Sequence, residues 1–184
     1  MKAPTDNRRL VQISKLLALM LRHRPEQFDI TLDGEGFADL GEVLVALQRT
    51  IPDATEGDLV AIVEGVEPEK RRFSMVDGEI RANYGHSLQT RIAHTIGVPP
   101  PILWHGSSEG ALAEIRLHGL LPMKRQYVHL TTEKTLAARI GARHGSARVI
   151  EVAASRAHAD GVTFYRANES FWLANAIAAQ YLRI

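Results

Sequence analysis

Three consecutive prolines, Pro99-Pro100-Pro101, constrain this 184-residue chain more than any other feature. Proline fixes φ and removes a backbone donor, so such a run continues neither a helix nor a central strand, and it stiffens a short connector. With the preceding Ile96-Gly97-Val98 it predicts a boundary that divides the chain into residues 1–97 and 98–184. A chain of this length can give each part a hydrophobic core.

In the first part, Asp6 or Asn7 is placed to cap a helix running to Arg22, with an apolar stripe of Leu10, Ile13, Leu17, Met20 and Leu21, and Pro25 stops it. Asp33-Gly34-Glu35-Gly36 predicts a turn between short extended segments. Asp39 with Glu42 makes a capping box for a second helix through Gln48, and Thr55 with Asp58 starts a third ending near Gly65. Asp77-Gly78 between short apolar runs is a strong two-residue hairpin signal. It pairs Val76 with Glu79, Met75 with Ile80, Ser74 with Arg81, Phe73 with Ala82 and Arg72 with Asn83. One face then carries Phe73, Met75, Ile80 and Ala82; the other carries Arg72, Ser74, Arg81 and Asn83. Guanidinium forks suit phosphate, although an edge hairpin with solvated arginines is the plainer reading. Three helices and a terminal hairpin are the ingredients of a winged-helix module, and a fold alone does not establish use on nucleic acid.

The second part predicts strands at 102–105, 127–131, 147–152, 162–166 and 171–173, with helices at 108–118 and 133–143, a compact α+β domain. Leu103-Trp104-His105-Gly106-Ser107 reads as a strand end delivering a histidine and a serine beside a glycine, where backbone can approach a ligand. Tyr127-Val128-His129-Leu130-Thr131-Thr132 repeats the pattern, and Gly141-Ala142-Arg143-His144-Gly145 is a basic turn suited to a pyrophosphate. His129 reads equally as a core histidine, and Arg143-His144 as charge offsetting a helix dipole. Gly106-Ser107-Ser108-Glu109-Gly110 matches G-x-S-x-G, but no histidine follows Asp160, the only aspartate after Ser108, so a hydrolase triad fails.

Composition narrows the classes. At 45% hydrophobic and 23% charged this is an ordinary globular chain. No apolar run approaches the roughly 18 residues of a membrane span, and residues 1–9 lack the apolar core of a signal peptide, so cytoplasm is the expected location. Zero cysteines exclude a disulfide framework and thiolate chemistry. There is no H-E-x-x-H, Walker or G-x-G-x-x-G motif, and no metal is expected. Residues 1–97 hold 12 Lys and Arg against 15 Asp and Glu, a net −3, and residues 98–184 hold 10 against 6, a net +4. Phosphate recognition must therefore come from a few placed arginines rather than bulk charge. Arg22-His23 in the first helix's last turn is a common dipole arrangement, and a histidine beside arginines titrates low enough to suit proton transfer near neutrality.

Taken together and in order, these segments resemble the KptA-type RNA 2′-phosphotransferases, NAD-dependent enzymes of tRNA splicing. The matching pieces are Ser14-Lys15 through Leu21-Arg22-His23, Asp33 to Phe37, Lys70-Arg71-Arg72-Phe73, Ile80 to Ser87, Trp104-His105-Gly106-Ser107, His118-Gly119-Leu120, Met123 to Leu130 and Gly141 to Gly145. The resemblance implies an N-terminal winged-helix RNA-binding lobe and a C-terminal ADP-ribosyltransferase-like lobe that binds NAD as co-substrate, without a metal. It implies catalytic roles for Arg22, His23, Arg72 and Arg125, and cofactor contacts from His105, Gly106, Ser107, His129 and, less directly, Arg143.

The implied reaction removes an internal 2′-phosphate from RNA. The phosphate displaces nicotinamide to give 2′-phospho-ADP-ribosylated RNA, which resolves to an RNA 2′-hydroxyl and ADP-ribose 1″,2″-cyclic phosphate. A monomer is expected. Two other readings remain: an ADP-ribosyltransferase that stops after the first step, on a nucleic-acid phosphate end or another acceptor, and a non-catalytic winged-helix NAD sensor. Tyr84 stands where the family usually has glutamine, and Ser107 where it usually has threonine. Asn168-Glu169-Ser170-Phe171-Trp172-Leu173 departs from an Asn-Gly-Val form, which leaves the far wall of the NAD site and the adenosine contacts unassigned, and Glu169 without a role.

Overall fold

The computed structural model describes residues 4–65 and 71–184, omitting the side chains of residues 4–6 and 144. Lys70, in one of the motifs above, lies outside the described residues. The fold is α+β, in two compact units, Met1–Ala93 and His94–Ile184.

The first unit runs α1 (Pro4–Arg22), β1 (Phe37–Asp39), α2 (Leu40–Gln48), α3 (Glu56–Glu64), β2 (Phe73–Val76) and β3 (Glu79–Ala82). Helix α1 begins at Pro4, so Asp6 and Asn7 lie within its first turns rather than capping it, and a proline at the first helical position is tolerated because its missing N–H has no helical partner anyway. Ile13, Leu17, Met20 and Leu21 are all fully buried, as their spacing requires. Asp39 caps α2 by accepting from the Glu42 N–H, and Thr55 with Asp58 forms a reciprocal capping box on α3. Asp77 and Gly78 both have positive φ, the requirement of a type I′ turn, and β2 pairs with β3 in the register expected. Strand β1 adds to the other edge of β3, giving the sheet order β1-β3-β2. One expectation needs correction: Asn83, assigned to the solvent-facing side, is buried. Its amide donates to the Arg71 carbonyl and its Oδ1 accepts from Ser74 Oγ, which satisfies its polar groups.

The second unit is built on a seven-stranded sheet. In chain order its elements are β4 (Thr95–Ile96), β5 (Leu103–Ser108), α4 (Leu112–His118), β6 (Val128–Thr131), α5 (Lys134–Gly141), β7 (Ala147–Val152), α6 (Ala154–Ala159), β8 (Phe164–Arg166), β9 (Phe171–Ala174) and β10 (Leu182–Arg183). The strand order is β10-β7-β5-β6-β9-β8-β4, with each paired strand antiparallel to its neighbour. Strand β4 joins this sheet through β8, so pairing with the second unit begins ahead of the Pro99-Pro100-Pro101 run. Helix α6 and the two-residue strands β4 and β10 had no sequence signal. Strand β5 also runs past Gly106 to Ser108, where an earlier end was expected, because all six of its residues pair with β7.

Gly106 has a packing task in addition to the ligand approach its motif predicted. A Cβ there would overlap the carbonyl of Ala137, and one at Gly141 would strike the backbone of Ser107. Two glycines thus let α5 lie directly on β5. Gly106→Ala should destabilise the protein by about 1–3 kcal/mol or more, as overpacking against fixed backbone does. Gly110→Ala, where a Cβ meets nothing, should be close to neutral. Equal thermal midpoints for the two variants would refute the close apposition.

Candidate active site

In the first unit, Arg22 ends α1 and is held on three sides. Its guanidinium lies over the rings of Phe73 and Tyr84, 5.3 and 5.1 Å from their centroids, and Nη2 donates to the Arg72 carbonyl at 3.2 Å. The segment after β3 crosses the same side chain at Gly85, where φ is +91° and a Cβ would sit 3.4 Å from Arg22 Nη1. Glycine is favoured here by the backbone conformation, since a Cβ would meet the guanidinium only at ordinary contact distance. The aromatic ring at Tyr84, one of the departures from the family pattern, thus stacks on the arginine as one of its supports.

His23 follows, exposed, with Nδ1 2.8 Å from Ser87 Oγ. Arg72 is half-buried just before the buried Phe73, and its carbonyl also accepts from the Asn83 N–H. Arg71 is exposed. The structure therefore brings Arg22 and the Arg72 backbone into direct contact and sets His23 next in the chain. On the same hairpin, Arg81 stacks on Phe37 at 4.5 Å and lies 3.6 Å from Glu35.

In the second unit, a groove of about 590 Å³ is lined by residues of β5, β6 and the segment between α4 and β6. His105, Gly106, Ser107, Arg125 and His129 all line it. Trp104, Met123 and Phe171, which sequence reasoning left without a role, supply apolar wall. Trp104 and Met123 lie in or near the histidine motifs in sequence, whereas Phe171 carried no such signal. Lys124 lines the groove, and Lys134 Nζ lies 4.9 Å from the Trp104 ring centroid. Arg143 is exposed in the turn after α5 and is not among the lining residues, so the structure does not bring it to this site.

His105 is oriented by its own strand neighbour, since Nδ1 lies 2.9 Å from the carbonyl of His129. A carbonyl only accepts, so Nδ1 carries the proton and Nε2 is the acceptor nitrogen of a neutral ring. Burial pushes the His105 pKa below the ordinary histidine range; the bond to the His129 carbonyl opposes this, and the Arg125 charge adds to the lowering. A neutral imidazole presenting an acceptor suits a sugar hydroxyl better than a phosphate. At the far end, Asn168 Oδ1 accepts from the backbone N–H groups of Ser170 and Phe171, and Ser170 Oγ donates to Glu133. This turn delivers Phe171 to the groove and leaves Glu169 exposed, outside the lining.

Comparison with known proteins identifies the family. The family model for RNA 2′-phosphotransferase, the Tpt1/KptA family, matches residues 8–176. A probable RNA 2′-phosphotransferase of Escherichia coli O6:K15:H31 is 37% identical over 183 residues, covering 98% of both chains. One from Agrobacterium fabrum is 38% identical, covering 93% of this chain and 92% of its own, and one from Acetivibrio thermocellus is 35% identical, covering 94% and 95%. The protein is a transferase. It belongs to the RNA 2′-phosphotransferase family.

The depressed His105 pKa carries a stability prediction. Below the ordinary value of 6.5 the unfolded chain takes up a proton that the folded ring resists. Stability is therefore lost as pH falls from 6.5 towards the lower folded value. Urea midpoints followed between about pH 8 and about pH 5 should fall more steeply for wild type than for His105→Gln. Parallel curves would remove the claim that His105 is held neutral.

Proposed function

We propose that this protein is an NAD-dependent RNA 2′-phosphotransferase that removes an internal 2′-phosphate from RNA. In this reading it releases nicotinamide and ADP-ribose 1″,2″-cyclic phosphate, passing through 2′-phospho-ADP-ribosylated RNA. The first unit is read as the winged-helix RNA lobe, supported by its helix order and the β1-β3-β2 sheet closed by a hairpin. The second is read as the ADP-ribosyltransferase-like lobe. The observation that carries the proposal is the fixed Arg22 guanidinium, stacked on two rings and bonded to the Arg72 carbonyl, with His23 beside it in sequence.

The chemistry makes that rigidity useful. Phosphoryl transfer concentrates charge on non-bridging oxygens, and donors already in place stabilise it without reorganising. Arg22 and Arg72 are assigned to the RNA 2′-phosphate, His23 to proton transfer, and Arg125 of the second unit to the same chemistry through the family pattern. The groove's donor set fits NAD: a neutral His105 and the Ser107 hydroxyl for sugar hydroxyls, guanidinium and ammonium groups for a pyrophosphate, and apolar wall for a ring. NAD would supply an activated ribose with nicotinamide as leaving group. His129 orients His105 through its carbonyl, and the walls limit water at the reacting centre. The reading takes the enzyme to be a cytoplasmic monomer that needs no metal.

Incubating purified protein with a 2′-phosphorylated oligonucleotide should give nicotinamide and the cyclic phosphate only when NAD is present, and equally in EDTA. Inorganic phosphate as the product refutes the proposal. Arg72→Ala should slow the second step by about a hundredfold or more, the usual loss for one positioned donor, so the ADP-ribosylated RNA accumulates as a slower gel band. Arg72→Lys should recover only part, since a point charge cannot replace a two-pronged donor. Arg71→Ala should be much milder. Equal damage at both arginines, or no build-up of the adduct, would show that the role given to Arg72 is wrong.

A further inference from the structure

The segment Asn83–Ser87 ends in a serine that the site description leaves without a task. Its course is fixed along most of its length. The Asn83 N–H donates to the Arg72 carbonyl, Tyr84 and His86 are buried, and Gly85 passes against the Arg22 guanidinium. The Ser87 N–H then donates to the Arg22 carbonyl at 3.0 Å, and its hydroxyl lies 2.8 Å from His23 Nδ1. One residue thus meets two consecutive residues at the end of α1, the backbone of the first and the imidazole of the second.

An exposed histidine at a helix end has several rotamers of similar energy, and either ring nitrogen can hold its proton. A hydroxyl set by buried neighbours selects one ring orientation and ties up Nδ1. His23 also lines a groove of about 580 Å³ in this unit, with Ser87, Glu26 and Asp33 on its walls. Ring orientation relative to that groove is what the serine controls.

We propose that Ser87 is a positioning residue for His23, holding the imidazole in the orientation needed for proton transfer. This rests on the functional reading above. The backbone clamp on Arg22 uses only the Ser87 amide, so Ser87→Ala removes the hydroxyl contact and keeps the clamp.

Three measurements test the assignment. Ser87→Ala should slow the second step about fivefold, the scale of one hydrogen bond, with an unchanged melting midpoint and unchanged release of nicotinamide in the first step. Ser87→Thr, which keeps the hydroxyl at an exposed position, should recover to within about twofold. In a His23→Ala background, Ser87→Ala should have no further effect, because a positioning residue has nothing left to position. Additive losses, or a threonine variant as slow as the alanine one, would overturn the inference. Wild-type turnover untouched by Ser87→Ala would sink this inference alone and leave the functional reading standing. Failure of wild type to consume NAD with the phosphorylated RNA would sink the functional reading instead. The hydroxyl–imidazole contact is then judged by the ¹⁵N resonances of His23, which Ser87→Ala must shift if it holds in solution.

Discussion

The first unit is organised around one guanidinium. Arg22 is the last residue of a helix whose inner face is fully buried, so its side chain leaves the core at a fixed point. A half-buried charge needs compensation, because desolvation without partners is costly. Two aromatic faces, a backbone carbonyl and the negative end of the helix dipole provide it here. Each partner comes from a different piece of chain: Phe73 from β2, the carbonyl from the residue before it, and Tyr84 from the segment after β3. Satisfying the charge therefore ties helix, hairpin and following segment together. The same contacts that stabilise the fold aim the functional groups.

The second unit solves its positioning problem with backbone alone. Glycines at Gly106 and Gly141 let α5 lie on β5 closer than any side chain permits, which stiffens the strand carrying His105 and Ser107. Strand β6 brings the His129 carbonyl to His105 and so fixes the tautomer of a ring already kept neutral by its surroundings. Sheet geometry thus determines which ring nitrogen is left as the acceptor. The orientation of His105 comes from an adjacent strand, whereas that of His23 comes from a segment distant in sequence.

Features governed by local rules were legible in the sequence. The caps at Asp39 and Thr55, the Asp77-Gly78 turn and the alternation of the hairpin depend on residues a few positions apart, and all appear as expected. What escaped depends on distant partners. Asn83 reads as a surface residue until Ser74 and the Arg71 carbonyl are known to satisfy it. Strands β4 and β10 are two residues long and exist only because β8 and β7 offer an edge. The packing of α5 against Gly106 was hidden because the sequence cannot show which helix lies on that strand. Five of the candidate site residues fall together on the groove of the second unit, while Arg143 does not, since its motif encoded a basic turn but not its direction.

The departures from the family pattern follow from the same distinction. A position is open to exchange where the new residue meets the physical demand of the old place. Tyr84 is buried and offers Arg22 a ring face, so in this chain an aromatic residue meets the demand of that position. Asn168 closes its turn through two backbone bonds made by its own carbonyl oxygen, a local device that leaves the next position exposed and lightly constrained. Glu169 occupies that position. Gly85 has less latitude: its positive φ is one that side chains rarely adopt, and relaxing it would move the segment that lies against the Arg22 guanidinium. The constraint is tightest where one side chain serves several elements at once.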